Sequence, residues 1–364
     1  MKKIHIAGAG LGGMVAALEL ARNGYEVHVV EAAGLLGGIG DFHPSLHVTP
    51  INKQRMSRFI GCDISSAFVE TAGFGFWVQE DPYQLNYPVL CYVERGNRPT
   101  SLDQLLYRAC ESLGVKFHFG VYLKKATELP PGSIFACGLH PLMYEELGLP
   151  FQRIYGSYIA FEFELGQTDR YLRCYFDDYT EDYFYAAGIH QLWYGLLFGR
   201  KPLTEAGRAA CLRQLESREG IRCREWKNIT GCTPTGSISN PRLFAGRYIL
   251  AGSMSGMMDP FFLFGIHGAL LSGKVAALAV DQPEAALALF RILNRNFWKA
   301  YLLRKGFEGN PFGFSLFRSM LAKPGLFLPL LKLLGLGVPG GPKGWFQEAT
   351  RSAVRLPPGA GFRT

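Results

Sequence analysis

Lys3-Ile-His-Ile-Ala7-Gly8-Ala-Gly10-Leu11-Gly12-Gly13, followed through a helical run to Tyr25-Glu-Val-His-Val-Val30-Glu31, decides the fold. Residues 3–7 are short and apolar enough for a buried strand, and Leu11–Asn23 repeats its apolar residues with a helical period. Tyr25–Val30 is a second strand, with Val27, Val29 and Val30 supplying β-branched bulk. Strand, helix and strand within about 30 residues predict two parallel strands joined by a right-handed crossover.

The corner Gly8-Ala9-Gly10-Leu11-Gly12-Gly13 is a G-x-G-x-x-G that leaves a strand and opens a helix. Gly8 permits the tight turn, Gly10 lets the main chain approach a pyrophosphate, and Gly13 lets the helix lie close to the sheet. From Leu11 and Gly12 onward, unpaired N–H groups and the helix dipole favour phosphate charge. Glu31 can accept hydrogen bonds from ribose hydroxyls, which favours an adenosine ribose without a 2′-phosphate. A dinucleotide site is therefore expected at Gly8–Gly13 and Glu31.

Composition narrows the class. The 364 residues suffice for about two domains. With 48% apolar and 19% charged residues, disorder is excluded as the main state. The 44 glycines follow no G-X-Y period, so they do not mark collagen. Eight cysteines are scattered with no C-x-x-C pair, which argues against a zinc ribbon or a redox pair. Met1-Lys2-Lys3 runs straight into the first strand without a secretory leader, so a reducing cytoplasm is expected. The net charge of +8 suits a soluble basic enzyme. Lys and Arg form no stripe interleaved with aromatics, and nucleic acid is not an expected partner.

Outward from the first corner, Leu102–Cys110 is helical and Gly114–Phe119 a strand. Tyr155–Glu164, Tyr171–Asp177, Tyr183–Ala187 and Gln191–Phe198 are short, aromatic and punctuated by turn residues, so they predict an antiparallel sheet. Arg247–Ala251 is again a buried strand and Gly265–Val280 a helix. The expected architecture is α/β. A discontinuous nucleotide-binding domain (1–75, 98–154, 235–300) is interleaved with an antiparallel-sheet substrate domain (76–97, 155–234), and a helical segment (301–364) follows. Within that segment the apolar run Gly325–Val338 holds Pro329 and Lys332, and its 14 residues fall short of the ~20 that span a bilayer. It reads as a helix over the substrate cavity, with peripheral membrane contact as the alternative.

The glycine corner, Glu31, and the second pair Gly37-Gly38 resemble the N-terminal region of glutathione-reductase-type FAD proteins. Within them the resemblance is to the group spanning phytoene desaturases, aromatic hydroxylases and geranylgeranyl reductases. Arg98-Pro-Thr-Ser-Leu102-Asp103 is similar to the arginine-led helix of the hydroxylase and reductase branch, where the arginine lies near the ribityl-phosphate region. The stretch Gly252-Ser253-Met-Ser-Gly256-Met-Met-Asp259-Pro260, leading into Gly265-Ile266-His267-Gly268, resembles the second FAD motif. The resemblance implies FAD held by Gly8, Gly10, Leu11, Gly12, Gly13, Glu31, Gly38, Arg98, Gly252, Ser253, Asp259, Gly265 and Ile266. No metal is expected.

The chain departs from that pattern in places. Relatives carry Gly-Asp where this chain has Gly252-Ser253, so a ribityl hydroxyl loses a charged acceptor unless Asp259 replaces it. Hydroxylases carry a further Asp-Gly where this chain has Cys137-Gly138, and the Trp-x-Trp-x-Ile-Pro pattern of flavin halogenases is missing.

The aromatic sheet, including Tyr158, Phe161, Phe163, Tyr185, Trp193 and Tyr194, is expected to face the flavin. Phe261, Phe262 and Phe264 near it favour an apolar substrate such as a prenyl or lipid chain. Proton-donor candidates are His43, His47, His190, His267 and Tyr185, none of them assigned, while Cys137 reads as a small buried hydrophobe. Three activities follow: a flavin-dependent reductase or redox-neutral isomerase with an external electron donor; an oxidase, desaturase or monooxygenase; and a non-catalytic FAD-binding protein.

Overall fold

The computed structural model describes residues 2–37, 44–71, 74–78, 81–85, 90–162, 170–223, 225–234, 242–259, 263–308, 315–316 and 319–320. The expectations attached to Gly38, His43, Phe163, Phe261, Phe262 and residues 325–338 lie outside them.

In chain order the strands are β1 (Lys3–Ala7), β2 (Glu26–Glu31), β3 (Ser45–Pro50), β4 (Phe68–Glu70), β5 (Phe74–Val78), β6 (Asp81–Leu85), β7 (Leu90–Arg95) and β8 (Lys116–Phe119). They continue as β9 (Ile134–Phe135), β10 (Phe151–Glu162), β11 (Tyr171–Phe176), β12 (Phe184–Ile189), β13 (Leu192–Gly199), β14 (Lys227–Pro234), β15 (Phe244–Ala245) and β16 (Tyr248–Leu250). The α-helices are α1 (Leu11–Arg22), α2 (Lys53–Ile60), α3 (Leu102–Ser112), α4 (Pro141–Glu146), α5 (Glu205–Glu219), α6 (Ile266–Ala279) and α7 (Pro283–Glu308).

A six-stranded sheet runs in the order β15-β16-β9-β1-β2-β8, all parallel except β15. Because five strands run one way, the corners after β1, β2 and β16 gather at a single edge. Alternation along β1 and β2 turns Ile4, Ile6, Val27 and Val29 to one core, which they share with Met14 and Leu18 of α1, Leu106 of α3, and Leu270 and Leu271 of α6. Phe135, Tyr144, Tyr248 and Met254 form a second core. The chain therefore carries a Rossmann-like unit.

A seven-stranded sheet runs β14-β10-β13-β12-β11-β5-β6, antiparallel except where β5 meets β11. Pleating divides its aromatic residues between two faces. Tyr158, Leu172, Ile189, Leu192 and Tyr194 pack with Leu46 of β3. Ile159, Tyr175, Phe184 and Trp193 pack with Cys211 and Leu215 of α5.

A third sheet, β3-β7-β4, lies outside the predicted elements. Leu90–Arg95, expected with the substrate domain, pairs here with β3 and β4. Helix α7 runs continuously across the expected boundary at residue 300 and is tied to the large sheet by Arg304, whose Nη2 lies 2.6 Å from Asp182 Oδ1.

Candidate functional site

Four glycines build the corner after β1, and they do so for different reasons. Gly8 has φ +100°, where L side chains are strained, and a Cβ there would lie 2.4 Å from the Ala136 carbonyl oxygen. A Cβ on Gly13 would lie 2.0 Å from the carbonyl oxygen of Gly8, and one on Gly12 2.7 Å from the amide nitrogen of Gly252. Packing fixes those three. Gly10 differs, because nothing lies within 4 Å of a Cβ built on it. That open space stands at the N-cap of α1, where a ligand's approach needs it.

Two helices that start without a side-chain cap pack on one another beside this space. Gly10 caps α1 with no side-chain hydrogen bond and no acid in the first turn, and Gly265 starts α6 in the same way. By contrast Asn52, Ser101 and Thr204 cap α2, α3 and α5 through their side chains. Close packing of Gly273 on Gly12, where a Cβ would come within 2.4 Å of the carbonyl oxygen, draws α6 against α1. Leu11 and Ile266 are the first helical residues of the pair, both buried. Unsatisfied N–H groups and aligned dipoles thus favour anionic or electron-rich ligand atoms at this edge.

Glu31 stands at the end of β2. Its Oε2 accepts the Ala9 amide at 2.7 Å and its Oε1 the Ala33 amide at 2.9 Å, so the carboxylate holds the corner to the next loop. Each oxygen keeps a further lone pair for a ribose hydroxyl. Gly37, with φ +104°, lies against Gly96 and Asn97, which brings that loop to the approach of α3.

After β16, Gly252 adopts φ +65° and donates its amide to Ser272 Oγ at 2.9 Å. Ser253 is half-buried, its Oγ 3.7 Å from where a Cβ on Gly265 would stand, so it sits at the start of α6. Asp259 is buried, its amide donates to the Phe264 carbonyl at 3.1 Å, and its charge bears on Tyr183 of the large sheet. His267, one residue into α6, is fully enclosed, and burial pulls its imidazole down to about 3, so it is neutral near pH 7.

Arg98 spans two sheets. Its Nε pairs with buried Glu94 at 3.0 Å and its Nη2 donates to the His190 carbonyl at 2.7 Å. His190 and Gln191 form the β12–β13 turn with φ +49° and +61°. Tyr185 and His47 are engaged within the protein. Tyr185 donates to the Leu46 carbonyl at 3.0 Å, and His47 Nε2 lies 2.9 Å from Ser45 Oγ. Burial raises the phenols of Tyr185 and Tyr194 well above their ordinary range, and the Cys137 thiol up to about 12. One feature that sequence reasoning missed is the Tyr194 hydroxyl, which is fully buried and has no hydrogen-bond partner among the described residues. Only the strand pairing reveals it. No group of three or more metal-ligating side chains is assembled among the described residues.

Comparison with known proteins gives the architecture a context. Residues 6–42 match the family model of the NAD(P)-binding Rossmann-like domain. No curated protein matches the chain by sequence. Among solved structures, a geranylgeranyl bacteriochlorophyll reductase-like protein from Thermoplasma acidophilum superposes with a TM-score of 0.64 at 14% identity, over 99% of this chain and 98% of that one. CtdE in complex with FAD superposes with a TM-score of 0.60 at 13% identity, over 86% of this chain and 95% of that one. This chain has their fold. CmlS, a flavin-dependent halogenase, shares it with a TM-score of 0.59 at 18% identity; the match covers 84% of this chain but only 64% of the length of CmlS.

Proposed function

We propose that this chain is a FAD-dependent oxidoreductase acting on an apolar, unsaturated small molecule such as a prenyl or other lipid-like chain, as a reductase or a redox-neutral isomerase. One observation carries the reading: the acid-free start of α1, packed at Gly12 against α6 and the Gly252 amide, stands at the open position of Gly10, with Glu31 alongside. The amides of Gly10–Gly13 would hold the pyrophosphate and Glu31 the adenosine ribose. Gly252 and Ser253 would meet the ribityl chain, and the amides of Gly265 and Ile266 the electron-rich edge of the ring. Such donors stabilise the charge that reduction places there. When bound, the flavin supplies two-electron chemistry, while the chain binds, orients and excludes water.

The substrate class is read from the sheet face turned to β3. Leu46, Leu172, Ile189 and Leu192 make it apolar, and the phenols of Tyr158, Tyr185 and Tyr194 lie among them. The FAD complex of CtdE and the full-length likeness to the reductase-like protein support the same reading.

The test is anaerobic. Full-length protein is incubated with FAD, reduced with dithionite and mixed with an isoprenoid alkene. The proposal expects bound flavin whose absorbance bleaches on reduction; a reductase regains it as the alkene is saturated, whereas an isomerase stays bleached while the alkene is rearranged. Protein that stays colourless with excess FAD would overturn the cofactor. Oxygen consumption dependent on NADPH and substrate, with no anaerobic reoxidation by the alkene, would replace the reductase by an oxygenase.

A further inference from the structure

Tyr194 lies on β13 between β10 and β12, and both of its cross-strand neighbours are alanines: Ala160 on one side and Ala187 on the other. Residues directly opposite one another share a face of the sheet, so the Tyr194 ring stands between two methyl groups. Ala187 is covered, whereas Ala160 is exposed. The face that Tyr194 shares with Leu172, Ile189 and Leu192 therefore opens beside this ring, on the β10 side.

Two polar neighbours of the ring are already engaged. Tyr185, its ring 6.0 Å away, donates its hydroxyl to the Leu46 carbonyl, and His47, 6.1 Å away, has its Nε2 at 2.9 Å from Ser45 Oγ. Tyr158 stacks on Tyr194 with ring centres 5.8 Å apart. The Tyr194 hydroxyl itself is enclosed and has no hydrogen-bond partner among the described residues. An O–H left unpaired away from water costs free energy, and proteins pair nearly all such groups. Burial holds this phenol well above its ordinary range, so it keeps its proton and is free to donate it in a hydrogen bond. The groups that bear on it are Tyr185 and Tyr158, with no cation among them, so a carboxylate or phosphate would lie there without counter-charge. A carbonyl oxygen suits the place: it accepts the bond and brings no hydrogen that would need a further acceptor.

We propose that the Tyr194 hydroxyl donates a hydrogen bond to a carbonyl oxygen carried by the otherwise apolar substrate. The inference rests on the apolar-substrate reading above and narrows it to a ketone or aldehyde on an isoprenoid or similar chain. Tyr194 then sets the direction in which that chain enters, because only its oxygenated end meets a donor. An analogue lacking the oxygen leaves the hydroxyl unpaired and is disfavoured for that reason.

Two probes test it on the full-length, oxidised protein with FAD added: geranylacetone, and the hydrocarbon in which a methylene replaces its carbonyl. No electrons are supplied, so affinity is read without turnover. Tyr194→Phe should weaken the ketone about tenfold, the worth of one hydrogen bond, and bind the hydrocarbon at least as well as the parent. In infrared difference spectra the C=O stretch of the ketone should fall on binding to the parent more than on binding to Tyr194→Phe. Without ligand, Tyr194→Phe should melt no lower than the parent, whereas Tyr185→Phe, which loses its bond to the Leu46 carbonyl, should melt about 2 °C lower. Ala160→Phe, which fills the open side, should weaken both probes alike. Equal effects of Tyr194→Phe on the two probes, an unshifted C=O stretch, unchanged binding in Ala160→Phe, or an unliganded Tyr194→Phe that melts as low as Tyr185→Phe would overturn the proposal and leave the apolar-substrate reading in place. Binding of neither probe to the parent would overturn both.

Discussion

Arg98 donates from Nη2 to the carbonyl of His190 at 2.7 Å while its Nε pairs with Glu94 at 3.0 Å, so one guanidinium joins the approach to α3 to a hairpin of the large sheet. The Glu94 side chain is almost wholly enclosed and also accepts from Thr100 at 2.5 Å. Removing the arginine would leave a buried carboxylate without its counter-charge. Arg98→Met should therefore cost about 3 kcal/mol or more in urea unfolding, and Glu94→Gln in the same chain should recover part of it. Arg98→Lys should recover little, because a lysine cannot reach two partners with a planar fork. A midpoint unchanged in Arg98→Met would show that the pair does not join the two sheets.

The glycine corner separates packing from ligand approach. Gly13→Ala and Gly268→Ala place a Cβ 2.0 Å from the Gly8 carbonyl oxygen and 1.7 Å from that of Met257, and each should destabilise the unliganded protein by about 1–3 kcal/mol. Gly10→Val meets open space and should melt within a few degrees of the parent, yet retain no FAD. Thermal melting and flavin content, measured on the same preparations, distinguish the two. A yellow Gly10→Val protein would remove the phosphate from this corner.

Local chemistry explains what could be read without coordinates. The strands around Gly8, the helix Leu11–Arg22 and the aromatic strands of residues 151–199 are specified by neighbours in sequence, and they fall within a few residues of expectation. The β3-β7-β4 sheet was hidden because its pairing is distant: Ser45 meets Arg95 and Leu46 meets Glu94, with no turn residues to announce the match. The partners of Arg98 were illegible for the same reason. Even the β12–β13 turn is disguised, since His190-Gln191 occupies left-handed positions where Asn-Gly is the usual cue. Helix α5 was a missed signal, with Thr204 as its cap and Gly220, at φ +68°, as its stop.

His267 makes acid stability testable. Its folded pKa of about 3 lies below the ordinary 6.5, so between those values the unfolded chain binds a proton that the folded chain does not. Stability from this group is therefore complete above about pH 6.5 and falls as pH drops toward 3, by up to about 1.4 kcal/mol per pH unit. Urea midpoints at about pH 7 and about pH 5, where carboxylates are still mostly ionised, register the effect together with that of His5, whose imidazole burial also lowers. His267→Asn should flatten the difference. An equal fall in the variant would place the acid sensitivity elsewhere.

Ser253 and Glu31 stand at the two ends of the proposed cofactor, and they should respond differently to substitution. Glu31→Ala removes two hydrogen bonds to the corner as well as any to ribose, and should weaken FAD binding about 10- to 100-fold, the loss expected for charge-assisted hydrogen bonds. Ser253→Asp instead adds a carboxylate beside the acid-free start of α6, which the helix dipole favours by about 0.3–1 kcal/mol even without ligand. If that carboxylate also reaches a ribityl hydroxyl, FAD affinity should rise severalfold beyond the parent, as read by titration of flavin fluorescence. A stabler protein with unchanged affinity would mean that the main chain around Gly252 already meets the ribityl oxygens, and that serine at this position costs the cofactor nothing.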